Sequence, residues 1–241
     1  MGISAPAAVE LLKAQSTKDP SDVAKKRLVS PECVLGVSTS DIRRLAKRIG
    51  GDADLAEALW LSEFVEAKAL AILVLPPSRV DDALITRWLA DIGDWSTCDL
   101  FVKSLIAKRK DAVEYGVKWT ASSDLYTKRA GLALIANYCM RATSFDDEVA
   151  SQIGYTIEEA ASDDRDHVRQ ACCWALREFG KSNSNSHEAA CLLALELTQS
   201  DEAPKSWVGR CAYRELQNLV KVPERRRLIS RESKTGMKQV K

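Results

Sequence analysis

Residues 166–180 contain side chains that could bind an anionic ligand. At 100° per residue, this segment predicts a helix with one apolar face. The residues of that face, which we expect to be buried, are Val168, Ala171, Cys172, Ala175 and Phe179. On the opposite side, Trp174 lies with the cations Arg177 and Lys181. An indole beside two cations can stack on a base or sugar while the cations hold phosphates; packing against a neighbouring helical repeat is the alternative.

Residues 94–105 contain a similar combination that includes an acid. Trp95, Asp99 and Lys103 are spaced four residues apart and therefore share one face of a predicted helix. The core-facing residues of the same helix are expected to be Cys98, Phe101, Val102 and Leu105. A carboxylate beside a tryptophan could stabilise a developing positive charge or position a water molecule. The alternative is a helical ion pair between Asp99 and Lys103, which contributes little to stability.

Arg129 marks a third candidate place. It is followed on its helix face by the small residues Ala133 and Ala136. These would leave room for a ligand to approach the guanidinium, although close packing between helices would use them equally well.

Other signatures of catalysis or metal binding are missing from the sequence. His167 and His187 are the two histidines, and the seven cysteines contain no C-x-x-C pair, so no metal site is expected. Such cysteines are typical of a reduced, intracellular protein. The first residues lack the apolar core of a signal peptide, so no signal segment is expected, and no apolar run is long enough to span a membrane. We therefore expect a soluble protein of the cytoplasm, nucleoid or nucleus, with no membrane partner.

The elements that must position these residues are helices. No proline occurs between Ser78 and Ala203, and apolar residues recur there at three- and four-residue steps, which predicts an all-α protein. Helix-capping pairs recur at intervals of 39 and 38 residues, at Ser123-Asp124, Ser162-Asp163 and Ser200-Asp201. This period is typical of HEAT-like repeats stacked into a curved solenoid with a concave face. A plain helical bundle is the alternative. We expect residues 1–222 to form a single repeat domain.

Charge is balanced overall but distributed in blocks. The 35 basic and 34 acidic residues give a net charge of +1. Residues 101–141 carry +5, residues 142–166 carry −7 and residues 221–241 carry +6. The overall neutrality limits non-specific affinity for nucleic acid without forbidding a local basic groove. The basic segment 223–241 is predicted to be a mobile tail that adds affinity for an anionic partner or aids solubility.

Together these features resemble the DNA alkylation repair glycosylases built from HEAT-like repeats. The resemblance begins at Leu35-Gly36-Val37-Ser38-Thr39-Ser40-Asp41-Ile42-Arg43. It continues through Asp94-Trp95 to Asp99 and through residues 118–129, and it ends with Val168-Arg169-Gln170-Ala171, Trp174-Ala175-Leu176-Arg177 and Lys181-Ser182-Asn183. Two departures are Ser40, where the family has proline, and Asp94, where members can carry a second aromatic residue.

The resemblance implies a monofunctional DNA glycosylase that excises N3- or N7-alkylated purines from double-stranded DNA during base excision repair, acting as a monomer without metal or cofactor. The catalytic residues that it implies are Trp95, Asp99, Arg129 and Trp174. The DNA-binding residues are expected to be Arg177, Lys181, Lys103 and Arg43. The alternatives are a non-catalytic family member that binds particular DNA structures and a scaffold for protein interactions.

Overall fold

The computed structural model describes residues 2–142 and 146–239, which divide into two compact units, 1–108 and 109–241. Unit 1 contains seven α-helices: α1 (Ala5–Lys13), α2 (Pro20–Arg27), α3 (Thr39–Ile49), α4 (Ala53–Trp60), α5 (Val65–Val74), α6 (Asp82–Ala90) and α7 (Trp95–Phe101). Two 3₁₀ turns, Pro31–Cys33 and Pro77–Arg79, lie between them, and a π-helical segment, Val102–Ile106, continues α7.

Unit 2 is also helical. Its helices are α8 (Ala112–Thr120), α9 (Leu125–Arg141), α10 (Asp147–Ala160), α11 (Asp166–Gly180), α12 (Ser184–Thr198), α13 (Ala203–Leu216) and the short α14 (Gly236–Gln239). The two strands described, β1 (Leu219–Val220) and β2 (Ile229–Ser230), form one small antiparallel pair. The all-α prediction is confirmed.

Helix α5 is the centre of unit 1. It packs against α3, α4 and α7, and its residues are buried on almost every side because the segment is apolar apart from Glu66 and Lys68. Beside it, the indoles of Trp60 and Trp88 stack with their centroids 4.1 Å apart. Burial of these aromatic rings favours a fixed packing of α4 against α6.

The segment after α7 departs from the predicted helical period. The main-chain N–H of Ala107 donates to the carbonyl of Val102 over 2.8 Å, a bond that spans five residues. Such a π-turn holds more residues than an α-turn, so the buried face advances by one position. Cys98, Phe101 and Val102 are buried as predicted, but Ile106 takes the buried place expected for Leu105, which is half-buried.

In unit 2, α11 packs against both α9 and α13. Three side-chain contacts between α11 and α13 join residues that are 38 positions apart and follow one another at four-residue steps. They are Arg169 with Trp207, Cys173 with Cys211, and Arg177 with Glu215. Because both partners advance together, the two helices run parallel with equivalent repeat positions facing each other. We call this row of contacts the α11–α13 ladder.

Successive helices of unit 2 approach closely at glycines. A Cβ atom on Gly131 of α9 would lie 2.4 Å from the main-chain nitrogen of Thr120 of α8. The same holds for Gly209 of α13 and Thr198 of α12. The missing side chain at these positions allows the two backbones to touch, as the repeated helix pairs require.

The boundary between the two compact units falls within residues 1–222, and the basic segment 223–239 is part of unit 2. The guanidinium of Arg226 donates to the carbonyls of Met140 and Arg141 at the end of α9, over 2.7 and 2.6 Å. Leu228 is 6% exposed, and its N–H donates to the carbonyl of Lys181. A cation on helix-terminal carbonyls and a buried leucine hold this basic segment in place.

Candidate functional site

A cavity of about 190 Å³ in unit 1 brings together four residues predicted from the sequence. Helices α3, α5 and α7 supply most of its wall. The four residues are Trp95, Asp99, Lys103 and Arg43. Trp95 and Asp99 are half-buried, whereas Lys103 and Arg43 are exposed. The arrangement places a carboxylate beside an indole inside the cavity, with two cations that can meet solvent.

The first turn of α7 is held by Asp94. Its carboxylate accepts hydrogen bonds from the main-chain N–H groups of Ser96 and Thr97, over 3.0 and 3.1 Å. Asp94 is 2% exposed, and the guanidinium of Arg27 lies 3.6 Å from its Oδ1 atom. Asp94 therefore acts as an N-cap that fixes α7, and with it the direction of Trp95 and Asp99.

Trp95 is anchored at the edge of its ring. Its Nε1–H donates to the main-chain carbonyl of Lys26 over 3.1 Å. Lys26 lies in the last turn of α2, where carbonyl groups have no partner within the helix. The bond fixes the orientation of the indole, whose ring lines the cavity.

The turn that leads into α3, the helix of Arg43, is held by a buried acid that sequence reasoning missed. The carboxylate of Glu66, which is fully buried, accepts hydrogen bonds from the N–H groups of Leu35 and Gly36, over 2.9 and 3.2 Å. Gly36 has a φ of 74°, and a Cβ atom there would lie 2.2 Å from the carbonyl oxygen of Lys18. The Leu-Gly motif therefore sets the turn that leads into α3. The signal that could have revealed Glu66 in the sequence is its position as an acid within the mostly apolar segment of α5.

Unit 2 places Trp174 and Arg177 on one face of α11, as predicted, with Lys181 at the residue that follows the helix, and all three are half-buried. The five residues predicted for the apolar face are all buried. The cations have acidic partners. Arg177 donates to Glu215 over 2.8 Å, and Lys181 forms ion pairs with both Glu215 and Glu178.

This group of charges is nearly balanced. Arg227 also pairs with Glu178, so three cations share two carboxylates. Burial alone would raise the pKa of Glu215, but the hydrogen bonds and charges of Lys181 and Arg177 outweigh it and hold the pKa below its ordinary value. Glu215 is therefore ionised at neutral pH and neutralises part of the positive charge on this face.

Arg129, in α9, is 5% exposed, and its guanidinium reaches the first turn of α11. Its Nη1–H donates to the carbonyl of His167 over 2.7 Å. Ala133 and Ala136, which follow it on α9, are fully buried. They serve close helix packing, the alternative that the sequence left open, and the guanidinium ties α9 to α11.

Within residues 2–142 and 146–239, no group of three or more His, Cys, Asp or Glu side chains is arranged to hold a metal ion. In the same part of the chain, no helix has both the length and the apolar character needed to cross a membrane.

The chain belongs to the family of DNA alkylation repair enzymes, which it matches over residues 9–216. The family resemblance seen in the sequence is thus confirmed. No curated protein matches the chain significantly.

A solved structure shares the fold with a TM-score of 0.72 at 17% sequence identity, over 99% of this chain and 94% of the other. It is described as "a new family of proteins related to the HEAT-like repeat DNA glycosylases with affinity for branched DNA structures". The predicted HEAT-like helical fold is confirmed by this match.

Proposed function

We propose that the protein is a DNA glycosylase that hydrolyses the N-glycosidic bond of N3- or N7-alkylated purines in duplex DNA. The observation that carries this proposal is the unit 1 cavity, in which Asp99 lies with Trp95, Lys103 and Arg43. Membership of the DNA alkylation repair family supports the choice of substrate.

Hydrolysis of this N-glycosidic bond does not need a strong general acid. An alkylated purine carries a positive charge and leaves as a neutral base when the bond to C1′ breaks. The positive charge then develops on the sugar, where the carboxylate of Asp99 would stabilise it and orient the attacking water. The indole of Trp95 would add cation–π attraction to the same sugar, of about 1 kcal/mol. Water supplies the new hydroxyl group at C1′, and its remaining proton passes to solvent.

The DNA backbone would be held by cations. Arg43 and Lys103 are exposed at the cavity and suit phosphate contacts. In unit 2, Trp174, Arg177 and Lys181 are proposed to contact the sugar-phosphate backbone. Arg129, which donates to the carbonyl of His167, is proposed to position the start of α11. Phosphates that bind Arg177 and Lys181 must compete with Glu215 and Glu178.

The test is release of 7-methylguanine or 3-methyladenine from methylated duplex DNA. We expect the wild-type protein to release base above the spontaneous rate. Asp99→Asn should lower the rate by about 100-fold or more, as loss of an electrostatic stabiliser does, while the dissociation constant for DNA stays within about twofold. Asp54→Asn, at an exposed acid outside the cavity, is the matched control and should keep full activity. Absence of release by the wild-type protein would overturn the proposal.

A second candidate is binding of branched DNA without excision. It is favoured by the internal pairing of Arg129, Arg177 and Lys181, which leaves the unit 2 residues engaged within the protein. The fold match to a protein family with affinity for branched DNA supports it. This candidate predicts at least tenfold tighter binding of a four-way junction than of a linear duplex of equal length, with no base released from either.

A further inference from the structure

The middle rung of the α11–α13 ladder consists of two thiols. Cys173 and Cys211 are free cysteines whose Sγ atoms lie 2.6 Å apart, with the S–H of Cys173 donating to Cys211. Contacts one turn away on either side, Arg169 with Trp207 and Arg177 with Glu215, hold the helices in this register. The packing of the two helices therefore brings the sulfur atoms together, and no loop has to move for them to meet.

The two thiols differ in exposure and in chemistry. Cys173 is 2% exposed, whereas Cys211 is partly open to solvent. The hydrogen bond from Cys173, and next the charges of Arg177 and Arg214, hold the pKa of Cys211 below its ordinary value despite partial burial. Burial raises the pKa of the neighbouring Cys172 to about 12, and its S–H is directed to the carbonyl of Ile157. Cys211 is thus suited to be the attacking thiolate, and Cys172 is not.

We propose that Cys173 and Cys211 form a reversible disulfide when the protein meets a hydroperoxide. The structure offers the two features that such a modification site needs, which are a facing pair of thiols and access for the oxidant to one of them. The site lies in unit 2 and depends on none of the residues of the unit 1 cavity.

The reaction proceeds in two balanced steps. The thiolate of Cys211 attacks the terminal oxygen of the hydroperoxide and breaks the O–O bond, which leaves a sulfenic acid on Cys211 and an alkoxide (hydroxide, from hydrogen peroxide). The alkoxide takes up from solvent the proton that Cys211 lost on ionisation and leaves as an alcohol (or water). The sulfur of Cys173 then attacks the Cys211 sulfur, and the hydroxyl group leaves as water with the proton of the Cys173 thiol. The two sulfurs lose two electrons in total, and the peroxide gains them.

Peptide mapping of the full-length protein tests this proposal. The reduced protein is treated with hydrogen peroxide, alkylated and digested with trypsin without reduction. We expect a cross-link between the peptides 170–177 and 211–214, with Cys172 alkylated in the former, and expect dithiothreitol to remove it. Cys211→Ser should abolish the cross-link without altering a buried side chain, and Cys173→Ser should also abolish it.

Cys172→Ser is the matched control because it changes the adjacent cysteine and should leave the cross-link intact. A Cys211 that is oxidised to sulfinic acid without cross-linking would overturn the proposal. So would a Cys211 that pairs with Cys172, or one that stays fully alkylatable after peroxide treatment.

Discussion

Three acids of unit 1 have similar side chains and different roles. Asp99 lines a cavity, Asp94 caps α7, and Glu66 binds the N–H groups that precede α3. The role of Asp99 could be proposed from sequence because its neighbours Trp95 and Lys103 are one helical turn away. The role of Glu66 could not be proposed in this way, because its partners are main-chain groups about 30 residues earlier. Every residue other than proline has such an N–H group, so the sequence does not show which of them Glu66 binds.

Loss of the Glu66 carboxylate should destabilise unit 1. In Glu66→Ala, the N–H groups of Leu35 and Gly36 would remain buried without acceptors. Each such group costs about 1–3 kcal/mol, so we expect the free energy of unfolding to fall by about 2–6 kcal/mol. Urea denaturation followed by circular dichroism measures the change. Glu63→Ala, at an exposed acid three residues earlier, should change the stability by less than about 0.5 kcal/mol. Equal effects of the two substitutions would contradict this account.

At the scale of single helices, the helical period predicted burial well where the helix is regular. All five residues assigned to the apolar face of α11 are buried. The same reasoning misplaced Leu105, because a π-turn after α7 advances the buried face by one residue. It also could not foresee that Arg177 pairs with Glu215, since a helical wheel contains only the residues of its own helix.

Two glycine substitutions in unit 2 are expected to change the stability in opposite directions. Gly131→Ala would push a methyl group against the backbone of Thr120 and Gly116, and we expect a loss of about 1–3 kcal/mol in stability. Gly154→Ala changes a helical glycine of α10 whose Cβ would meet no atom within 4 Å. There the better helix propensity of alanine should add up to about 1 kcal/mol. Thermal unfolding of both variants distinguishes the signs; a stabilised Gly131→Ala protein would show that the helices are not in contact at this point.

For the whole molecule, net charge is a poor guide to function. The value of +1 is the sum of blocks of opposite sign, and two cations that the sequence assigned to a ligand, Arg177 and Lys181, pair with acids within the protein. In the basic C-terminal segment, Arg226 donates to helix-terminal carbonyls and Arg227 forms an ion pair with Glu178. Such pairings join residues far apart in the chain, which is why charge counting along the sequence did not reveal them.

Removal of one carboxylate should strengthen DNA binding. In Glu215→Gln, Arg177 and Lys181 lose their shared acidic partner. If both cations then reach phosphates, the slope of log K against log salt should become steeper by about 1–2 units, with severalfold tighter binding at low salt. Fluorescence anisotropy with labelled duplex DNA over a series of salt concentrations measures both quantities. Glu188→Gln, an exposed acid on α12, is the control of equal charge change and should shift the slope far less. An unchanged slope in Glu215→Gln would exclude the two cations from the DNA contact.

The constant offset of 38 residues in the α11–α13 ladder bears on how such a protein can change its length during evolution. Every rung joins a position to the one 38 residues further along. Duplication of one whole repeat would therefore provide each new helix with the same kind of neighbour on both sides. A gain or loss of one or two residues inside α11 would instead displace every later rung. Length variation in unit 2 is thus expected in whole repeats and in the turns between helices.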